Sequence, residues 1–302
     1  MKTVVKKTSR KNKIHYGSKA FDVVLILVMA FLALIFIYPF LNVIAVSLSS
    51  NRMISSGAVT FFPREITTIG YKMLFQEQNI WGAYLNTIII AVGFTAVNLV
   101  CTSLLAYTLM LPDFVLRKFL TVALLITMFF GGGTVPTYLL IKNLGLMNSW
   151  WSLILPNAVA AYNVFVYRSF YRGIAPEIRE AARIDGASDF TILWRIYVPL
   201  SKALYATFGL FSIVQIWNSY YESLLYISDP AKQPIQMILR KIVFQSGTAT
   251  MGNTAQMMSN GVMNKLNVQY ACVVVTVIPI LILYPFVQKY FAQGMQVGAV
   301  KG

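Results

Sequence analysis

REAARIDGASDFTILWRIYVP, residues 179–199, is a charged stretch in the middle of an apolar chain. Hydrophobic residues make up 57% of the 302 residues and charged residues 12%, whereas about a quarter of the residues of a soluble protein are charged. This composition predicts a protein that crosses a membrane several times, with the stretch at the membrane surface. Its six charged residues are Arg179, Glu180, Arg183, Asp185, Asp189 and Arg195.

Apolar runs long enough to cross a bilayer recur along the whole sequence. A transmembrane helix needs about 20 predominantly apolar residues. We therefore predict an all-α integral membrane protein whose transmembrane domain occupies residues 20–291, between a basic tail at 1–19 and a C-terminal tail at 292–302. The six predicted transmembrane helices are at about 20–48, 84–110, 118–141, 150–170, 203–227 and 268–289.

The distribution of Lys and Arg predicts the orientation of these helices. Seventeen of the 25 Lys and Arg residues lie in the two tails, in the turn after the second run or in the segment after the fourth. Positively charged residues accumulate on the cytoplasmic side. We therefore expect both termini and residues 179–199 in the cytoplasm. The net charge of +15 then follows from topology and contact with anionic lipid, so we expect no nucleic-acid partner.

Several kinds of chemistry are not expected in this chain. The two cysteines, Cys101 and Cys272, fall inside predicted spans and the single histidine, His15, lies in the tail, so the sequence offers neither a disulfide framework nor a Cys/His metal site. No G-x-x-x-x-G-K-[ST] loop is present to cradle a phosphate. We therefore expect no metal, no cofactor and no nucleotide hydrolysis here.

Residues 176–199 are predicted to form two short cytoplasmic helices joined by a turn. Proline is favoured in a first helical turn, Asp-Gly is a common turn sequence and serine is a good N-cap. The expected elements are a helix at 176–184, a turn at Asp185-Gly186, an N-cap at Ser188, a helix at 189–197 and a stop at Pro199.

Each of these helices has a distinct surface. The second places Ile192, Leu193 and Ile196 on an apolar stripe that would face the bilayer or the helix bundle. The first exposes small residues beside charges, which suits close approach by another backbone. An amphipathic surface linker with ordinary solvated charges explains the same pattern. The small residues are Ala181, Ala182 and Ala187.

The spacing in this segment resembles the EAA loop of ABC importer permeases. Glu180-Ala181-Ala182 is followed after three residues by Gly186, after nine more by Ile196, and then by Val198-Pro199, with valine where leucine is usual. Other stretches resemble the carbohydrate-uptake (maltose-type) branch, and within it the second permease of oligosaccharide and complex-glycan importers. They are GGGTVPTYLLIKNLGLMNSWWSLILP (131–156), IDGAS (184–188), IWNSYYESLLYI (216–227) and GMQVGAVKG (294–302).

This resemblance, which covers about residues 20–302, implies a type I ABC importer permease in a bacterial cytoplasmic membrane. The chain would pair with a second homologous permease and work with two ABC ATPase subunits and an extracytoplasmic sugar-binding protein. It would carry an oligosaccharide, and the partner ATPase would bind ATP and Mg²⁺. Residues 176–199 would be the coupling helices, seated on the ATPase, and the C-terminal tail would reach along the ATPase dimer. The implied contact residues are Glu180, Ala181, Ala182, Asp185, Gly186 and Ala187 in the coupling segment, and Gly298, Lys301 and Gly302 in the tail.

Two features inside the predicted spans suggest a translocation path. FFGGGTVP (129–136) cannot form a continuous helix, so Gly132 and Pro136 mark either a packed kink or a stretch lining a cavity. Glu222 is an ionisable residue in an apolar span; it is either a hydrated interfacial carboxylate or part of a sugar-binding patch. In maltose-type systems the partner permease holds the sugar. The other residues of the patch are Trp217, Asn218, Tyr220 and Tyr221.

Two outer loops, 49–83 and 228–267, are long enough to meet a binding protein. In the second, a stripe with helical spacing predicts an amphipathic helix in the outer interface. Residues 246–267 would probe the binding protein's cleft, or form a mobile loop with no specific contact. The residues of the stripe are Ile235, Ile238, Leu239, Ile242 and Val243.

Two other functions remain as alternatives. A membrane-embedded enzyme acting on lipid-linked glycans would need convergent carboxylates, and only Glu222 is suitably placed, since Asp22 lies at the cytoplasmic end of the first span. A channel would need no docking helix. Co-purification with a nucleotide-binding subunit is expected only of the transport subunit.

Overall fold

The computed structural model describes residues 19–76, 79–244 and 265–299, and in these ranges every regular element is helical. This confirms the predicted all-α class. The helices are α1 (Lys19–Ser47), α2 (Asn51–Ser55), α3 (Ile69–Gln76), α4 (Ile80–Met110), α5 (Arg117–Phe129), α6 (Thr134–Asn143), α7 (Trp151–Ile154), α8 (Ala161–Arg172), α9 (Pro176–Ile184), α10 (Asp189–Ile192), α11 (Val198–Leu200), α12 (Lys202–Asn218), α13 (Tyr221–Tyr226), α14 (Ile235–Phe244) and α15 (Lys265–Ala299), with a π-helical segment at Leu193–Tyr197 and a 3-10 turn at Pro230–Lys232.

Three helices in the described ranges are individually long and apolar enough to cross a membrane: α1, α4 and α15. They correspond to the predicted first, second and sixth spans. A fourth candidate arises if Asp189–Leu200 and Lys202–Asn218, which meet at 85°, are counted as one bent span. None of the most apolar window of α1 is buried within the chain, so that part of α1 is left to face lipid or another subunit, while its C-terminal end is buried.

The other three predicted spans are each divided into two helices. The predicted break in the third span is confirmed, because Phe130–Gly133 separates α5 from α6 and Gly133 has a φ of +82°. The fourth is interrupted between α7 and α8, where Pro156 follows α7, and the fifth between α12 and α13 at Ser219 and Tyr220. Continuous helices at 150–170 and 203–227 are therefore not formed.

α4 is the central helix of the bundle and packs against α8 and α12. α15 packs against α1, α3 and α12. The contact between α3 and α15 is close, since a Cβ added at Gly70 would lie 2.0 Å from Oδ1 of Asn267. Nδ2 of the buried Asn267 donates to the Ser49 carbonyl at 2.7 Å, which joins α15 to the segment after α1.

α14 forms the predicted amphipathic helix, and most of its apolar stripe packs within the chain, while Val243 near its end is exposed. Ile235 is fully buried and Ile238 is 6% exposed, in a cluster with Ala271 and Cys272 of α15. The stripe is therefore used for packing within the chain. Sequence periodicity shows that a helix has an apolar face, and α15 and α4 are the neighbours that cover it here.

Candidate functional site

The charged segment folds as a bent pair of helices, as its sequence predicts. α9 ends at Ile184, where Gly186 adopts a φ of +82° and donates its N–H to the Arg183 carbonyl at 3.0 Å. The N–H of Ala187 reaches the Ala182 carbonyl at 2.9 Å. This pattern is the Schellman motif, which needs a left-handed residue and therefore favours glycine.

The second helix begins at the predicted N-cap but extends further than predicted. Ser188 Oγ accepts from the Thr191 N–H at 3.2 Å. Helical structure then continues through the π-helical segment and α11 to Leu200, so the predicted stop at Pro199 is wrong. Pro199 lies in α11, directly after the π-helical segment, and supplies no backbone N–H to the helix. The chain turns at Ser201 instead, into α12.

Polar contacts fasten this segment to α4. The Tyr107 hydroxyl, on α4, donates to Asp189 Oδ1 at 3.0 Å, and Arg179 Nη2 on α9 reaches the same oxygen at 3.4 Å. The Arg179 side chain is 13% exposed. Partial burial lowers the pKa of Arg179, but the contacts with Tyr107 and Asp189 outweigh burial and raise its pKa overall. The guanidinium therefore stays charged, and Asp189 links both helices to α4.

Apolar contacts also fasten residues 179–199 to the helix bundle. Ile192 and Leu193 are buried, and Ile196 packs against the same cluster, so the predicted stripe faces the helix bundle. That cluster includes aromatic residues of α4, α8, α12 and the π-helical segment, whose rings meet edge to face. The hydroxyls of Tyr171 and Tyr205 lie 2.6 Å apart, and both contact Ser103 Oγ. This polar cluster was not predicted, because its members are far apart in the sequence.

The segment has an outward face that the described part of the chain leaves exposed. Glu180, Ala181, Asp185 and Gly186 are exposed. Ala182 and Ala187 are half-buried and pack against the bundle, so of the three predicted contact alanines only Ala181 is exposed. The side chains of three apolar residues are also exposed beside these charges. They are Ile178 at 41%, Ile184 at 87% and Phe190 at 65%.

An open cavity of about 870 Å³ lies where the broken spans meet. Parts of α5, α6, α8, α12 and α13, with the breaks between α5 and α6 and between α7 and α8, form its wall. The wall is mixed, with apolar, hydroxyl, amide and aromatic groups. Its residues are Leu124, Thr127, Met128, Gly131, Gly132, Gly133, Thr134, Thr137, Pro156, Asn157, Val159, Ala160, Ala161, Tyr162, Gln215, Tyr221, Glu222, Leu225 and Tyr226.

The structure brings only some of the predicted path residues to this cavity. Gly132, Tyr221 and Glu222 line it, whereas Pro136 lies in the first turn of α6 outside the lining. Glu222 lies in the first turn of α13 and accepts a hydrogen bond from Ser219 Oγ. The break before α13 is what turns this carboxylate toward the cavity.

The rest of the predicted aromatic patch is dispersed. Trp217 is buried, and its indole N–H donates to the Thr276 carbonyl of α15 at 3.0 Å. Tyr220 lies under the Arg240 guanidinium, 5.9 Å from its ring centre, and Asn218 is exposed outside the cavity lining. Trp217 is therefore a packing residue. A continuous helix would have spaced these residues differently, and the break after Asn218 separates them.

Other lining residues were missed by sequence analysis. Asn157 follows Pro156 in the unpredicted break of the fourth span, and Gln215 is an amide in an apolar helix. Both are polar residues inside predicted spans, which was the available signal. Lys301 and Gly302 of the predicted tail contact lie outside the described residues, as do 245–264 of the second outer loop and the basic tail through residue 18. Gly298 lies near the end of α15.

The chain is similar in sequence to known membrane transport proteins. Residues 78–297 match the family described as "Binding-protein-dependent transport system inner membrane component". The chain is 40% identical over 287 residues to "Protein LplC" of Bacillus subtilis (strain 168), covering 95% of this chain and 96% of the relative. It is 37% identical over 285 residues to "Polygalacturonan/rhamnogalacturonan transport system permease protein YtcP" of the same organism, covering 94% of this chain and 99% of that relative.

A solved structure is also similar over nearly the whole chain. It is described as "Crystal structure of a bacterial ABC transporter involved in the import of the acidic polysaccharide alginate". The superposition has a TM-score of 0.84 at 29% sequence identity and covers 91% of this chain and 99% of that one. The helical arrangement described above is thus shared with a transporter subunit.

Proposed function

Since this chain belongs to the family of binding-protein-dependent transport system inner membrane components, and is a permease subunit of an ABC importer for oligosaccharides or polysaccharides, we propose that it crosses the membrane six times with both termini in the cytoplasm. The excess of Lys and Arg in the tails and in the segment after the fourth span supports this orientation. The helix pairs α5/α6, α7/α8 and α12/α13, each separated by a short break, would supply the third, fourth and fifth crossings. Irregular backbone at membrane depth is tolerated where it lines a cavity.

The importer would be completed by other subunits. A second homologous permease would pair with this chain, two ABC ATPase subunits would bind ATP and Mg²⁺, and a sugar-binding protein would deliver the oligosaccharide from outside. The chain itself is a transport subunit and not an enzyme acting on lipid-linked glycans. The outer loops at 49–83 and 228–267 would meet the binding protein, and the C-terminal tail at 292–302 would contact the ATPase.

Residues 176–199 would be the coupling helices, with their outward face seated on the ATPase. The observation that carries this proposal is the combination of an exposed face, with Glu180 and Ile184, and an inner face fastened to α4 through Asp189. Movement of the ATPase would thus pass to the bundle, since a packed element moves as a rigid body. Gly186 would set the bend that presents this face.

The cavity of about 870 Å³ would be this chain's half of the sugar path. Its mixture of tyrosine rings and hydroxyl and amide groups suits sugar rings, which offer both C–H faces and hydroxyls. Alternating access would open the cavity to one side of the membrane and then to the other. Gly132, Tyr221 and Glu222 are the predicted path residues that remain in this role, and a partner permease would form the opposite wall.

The proposal is tested by Glu180→Lys in the full importer reconstituted in liposomes. We expect normal insertion but loss of at least nine-tenths of ATP-driven sugar uptake, because Glu180 would be the polar anchor to a basic group on the ATPase and the substitution reverses its charge. Glu177→Lys is the matched control, since Glu177 is also an exposed carboxylate of α9. Wild-type uptake in Glu180→Lys, or an equal loss in both variants, would contradict the assignment of the anchor. Gly186→Pro should uncouple ATP hydrolysis from uptake in the same assay.

A further inference from the structure

The wall of the cavity carries a single charged side chain, the carboxylate of Glu222. Among the described residues that line the cavity there is no Lys, Arg or His. Ser219 donates to one oxygen of this carboxylate and fixes its position at the start of α13. The remaining lining groups are neutral. Any sugar that crosses this half of the path therefore passes a fixed negative charge without a compensating cationic side chain.

Two helix N-termini partly offset this charge. α6 begins at the lining residues Gly133 and Thr134, and α8 begins at Ala160 and Ala161, which also line the cavity. A helix N-terminus carries roughly half a positive charge and free N–H donors. These ends are partial charges spread over several N–H groups, whereas the Glu222 carboxylate is a full charge at one point. The wall therefore offers N–H donors and a strong carboxylate acceptor, and Glu222 stays the one full charge among its described residues.

This combination suits a sugar that bears hydroxyls and no charge. A hydroxyl both donates and accepts, so it can satisfy Glu222 and a helix N–H together. The rings of Tyr162 and Tyr221, which are 61% and 47% exposed, offer faces for the C–H surface of a pyranose. A uronic acid brings a carboxylate that can only accept. Strong carboxylate recognition uses a bidentate Arg, which the lining lacks.

Resting on the proposed function of the cavity, we propose that this importer carries neutral oligosaccharides and discriminates against uronic acid oligosaccharides, with Glu222 as the specificity-determining residue. In a polyuronate every ring carries a carboxylate, so each ring would meet the repulsion of Glu222 in turn. A neutral oligosaccharide meets no such repulsion. This cargo differs from the acidic polysaccharide named for the structural relative and from the polygalacturonan and rhamnogalacturonan named for the relative YtcP.

The test uses the full importer in liposomes, with ATP inside and the binding protein outside. The liposomes receive an equimolar mixture of oligogalacturonides and neutral arabinoxylan and galactan oligosaccharides of matched length. Mass spectrometry then measures the sugars inside. Wild type is compared with Glu222→Gln, and with Asp113→Asn as a control that removes an exposed carboxylate outside the cavity. Because the binding protein is unchanged, any shift in the ratio of sugars between variants arises in the permease.

We expect the wild type to take up at least about ten times more neutral sugar than uronate. Glu222→Gln should lower this uptake ratio by about tenfold, because a like-charge contact in a half-exposed site has an effect of about that size. Asp113→Asn should keep the wild-type ratio. The inference is overturned if uronates enter the wild type as readily as neutral sugars, if no neutral sugar enters, or if Glu222→Gln leaves the ratio unchanged.

A third variant separates this inference from the proposed function. Ala161→Trp places an indole in the cavity and should abolish uptake of every sugar if the cavity is the path. Normal uptake in Ala161→Trp would refute the cavity as the path, and the specificity inference with it. Blocked uptake in Ala161→Trp together with an unchanged ratio in Glu222→Gln would refute only the specificity inference.

Discussion

Removing the Tyr107 hydroxyl should weaken the connection between residues 176–199 and the transmembrane bundle. In Tyr107→Phe the ring remains, with its edge-to-face contact to Tyr197 at 5.2 Å. The 3.0 Å hydrogen bond to Asp189 and the contact of the hydroxyl with Arg179 are lost. A hydrogen bond to a charged group contributes about 1.5–3 kcal/mol. The Asp189 side chain is 40% exposed, so water can replace part of the loss. We therefore expect about 1.5 kcal/mol, which is about a tenfold change in the equilibrium between fastened and loosened segments.

The assay is the number of sugar molecules imported for each ATP hydrolysed by the full importer in liposomes. A loosened segment would let the ATPase close without moving α4, so hydrolysis should continue while uptake falls. We expect Tyr107→Phe to import several-fold less sugar per ATP, with unchanged amounts of assembled complex. Restoring tyrosine at this position should restore the ratio.

Tyr84→Phe is the matched control for this prediction. Tyr84 is also on α4, and its hydroxyl donates to the Val275 carbonyl of α15 at 2.7 Å, so the substitution again removes one hydrogen bond between elements. It does not touch residues 176–199. Equal sugar-to-ATP ratios in the two variants would refute the reasoning, because the loss would then report general destabilisation rather than a weakened connection.

Two further predictions concern glycines. Gly186→Ala should cost about 1–2 kcal/mol, because Gly186 has a φ of +82°, and should also lower sugar import per ATP. Gly145→Ala, at a φ of +69° in another turn, should cost a similar amount in thermal unfolding of the complex but leave import per ATP unchanged. Gly70→Ala should lower the melting temperature by displacing Asn267, with a cost of about 1–3 kcal/mol, because the added Cβ would lie 2.0 Å from Oδ1. Gly209→Ala, whose Cβ would meet ordinary contacts at 3.7 Å inside α12, should melt at or above the wild-type temperature because alanine favours a helix over glycine, and equal melting of the Gly70 and Gly209 variants would contradict the prediction.

Local features of the charged segment were predictable because they depend on neighbouring residues. The turn at Gly186 requires a left-handed residue, and Ser188 caps the helix that starts at the next residue. The break at 130–133 was predictable for the same reason, since consecutive glycines do not sustain a helix within a span. In these places the physical cause lies within a few residues of its effect.

Features that depend on distant neighbours were not predictable. No glycine or proline lies at the break at Ser219, so the sequence does not predict it. The break places Tyr221 and Glu222 at the cavity, while Trp217 packs against α15. The bond between Tyr107 and Asp189 joins residues 82 positions apart. Such contacts follow from how helices pack, which apolar periodicity alone does not specify.

Photo-cross-linking from position 184 tests most directly whether the outward face of residues 176–199 is where a separate ATPase docks. The Ile184 side chain is 87% exposed, so a benzophenone amino acid there can reach a bound subunit. In the assembled importer we predict a covalent adduct with the ATPase, and none when the same probe replaces Ile66, which is 73% exposed in the first outer loop. An assembled, transport-active importer that yields no ATPase adduct from position 184 would contradict the docking of the ATPase on this face.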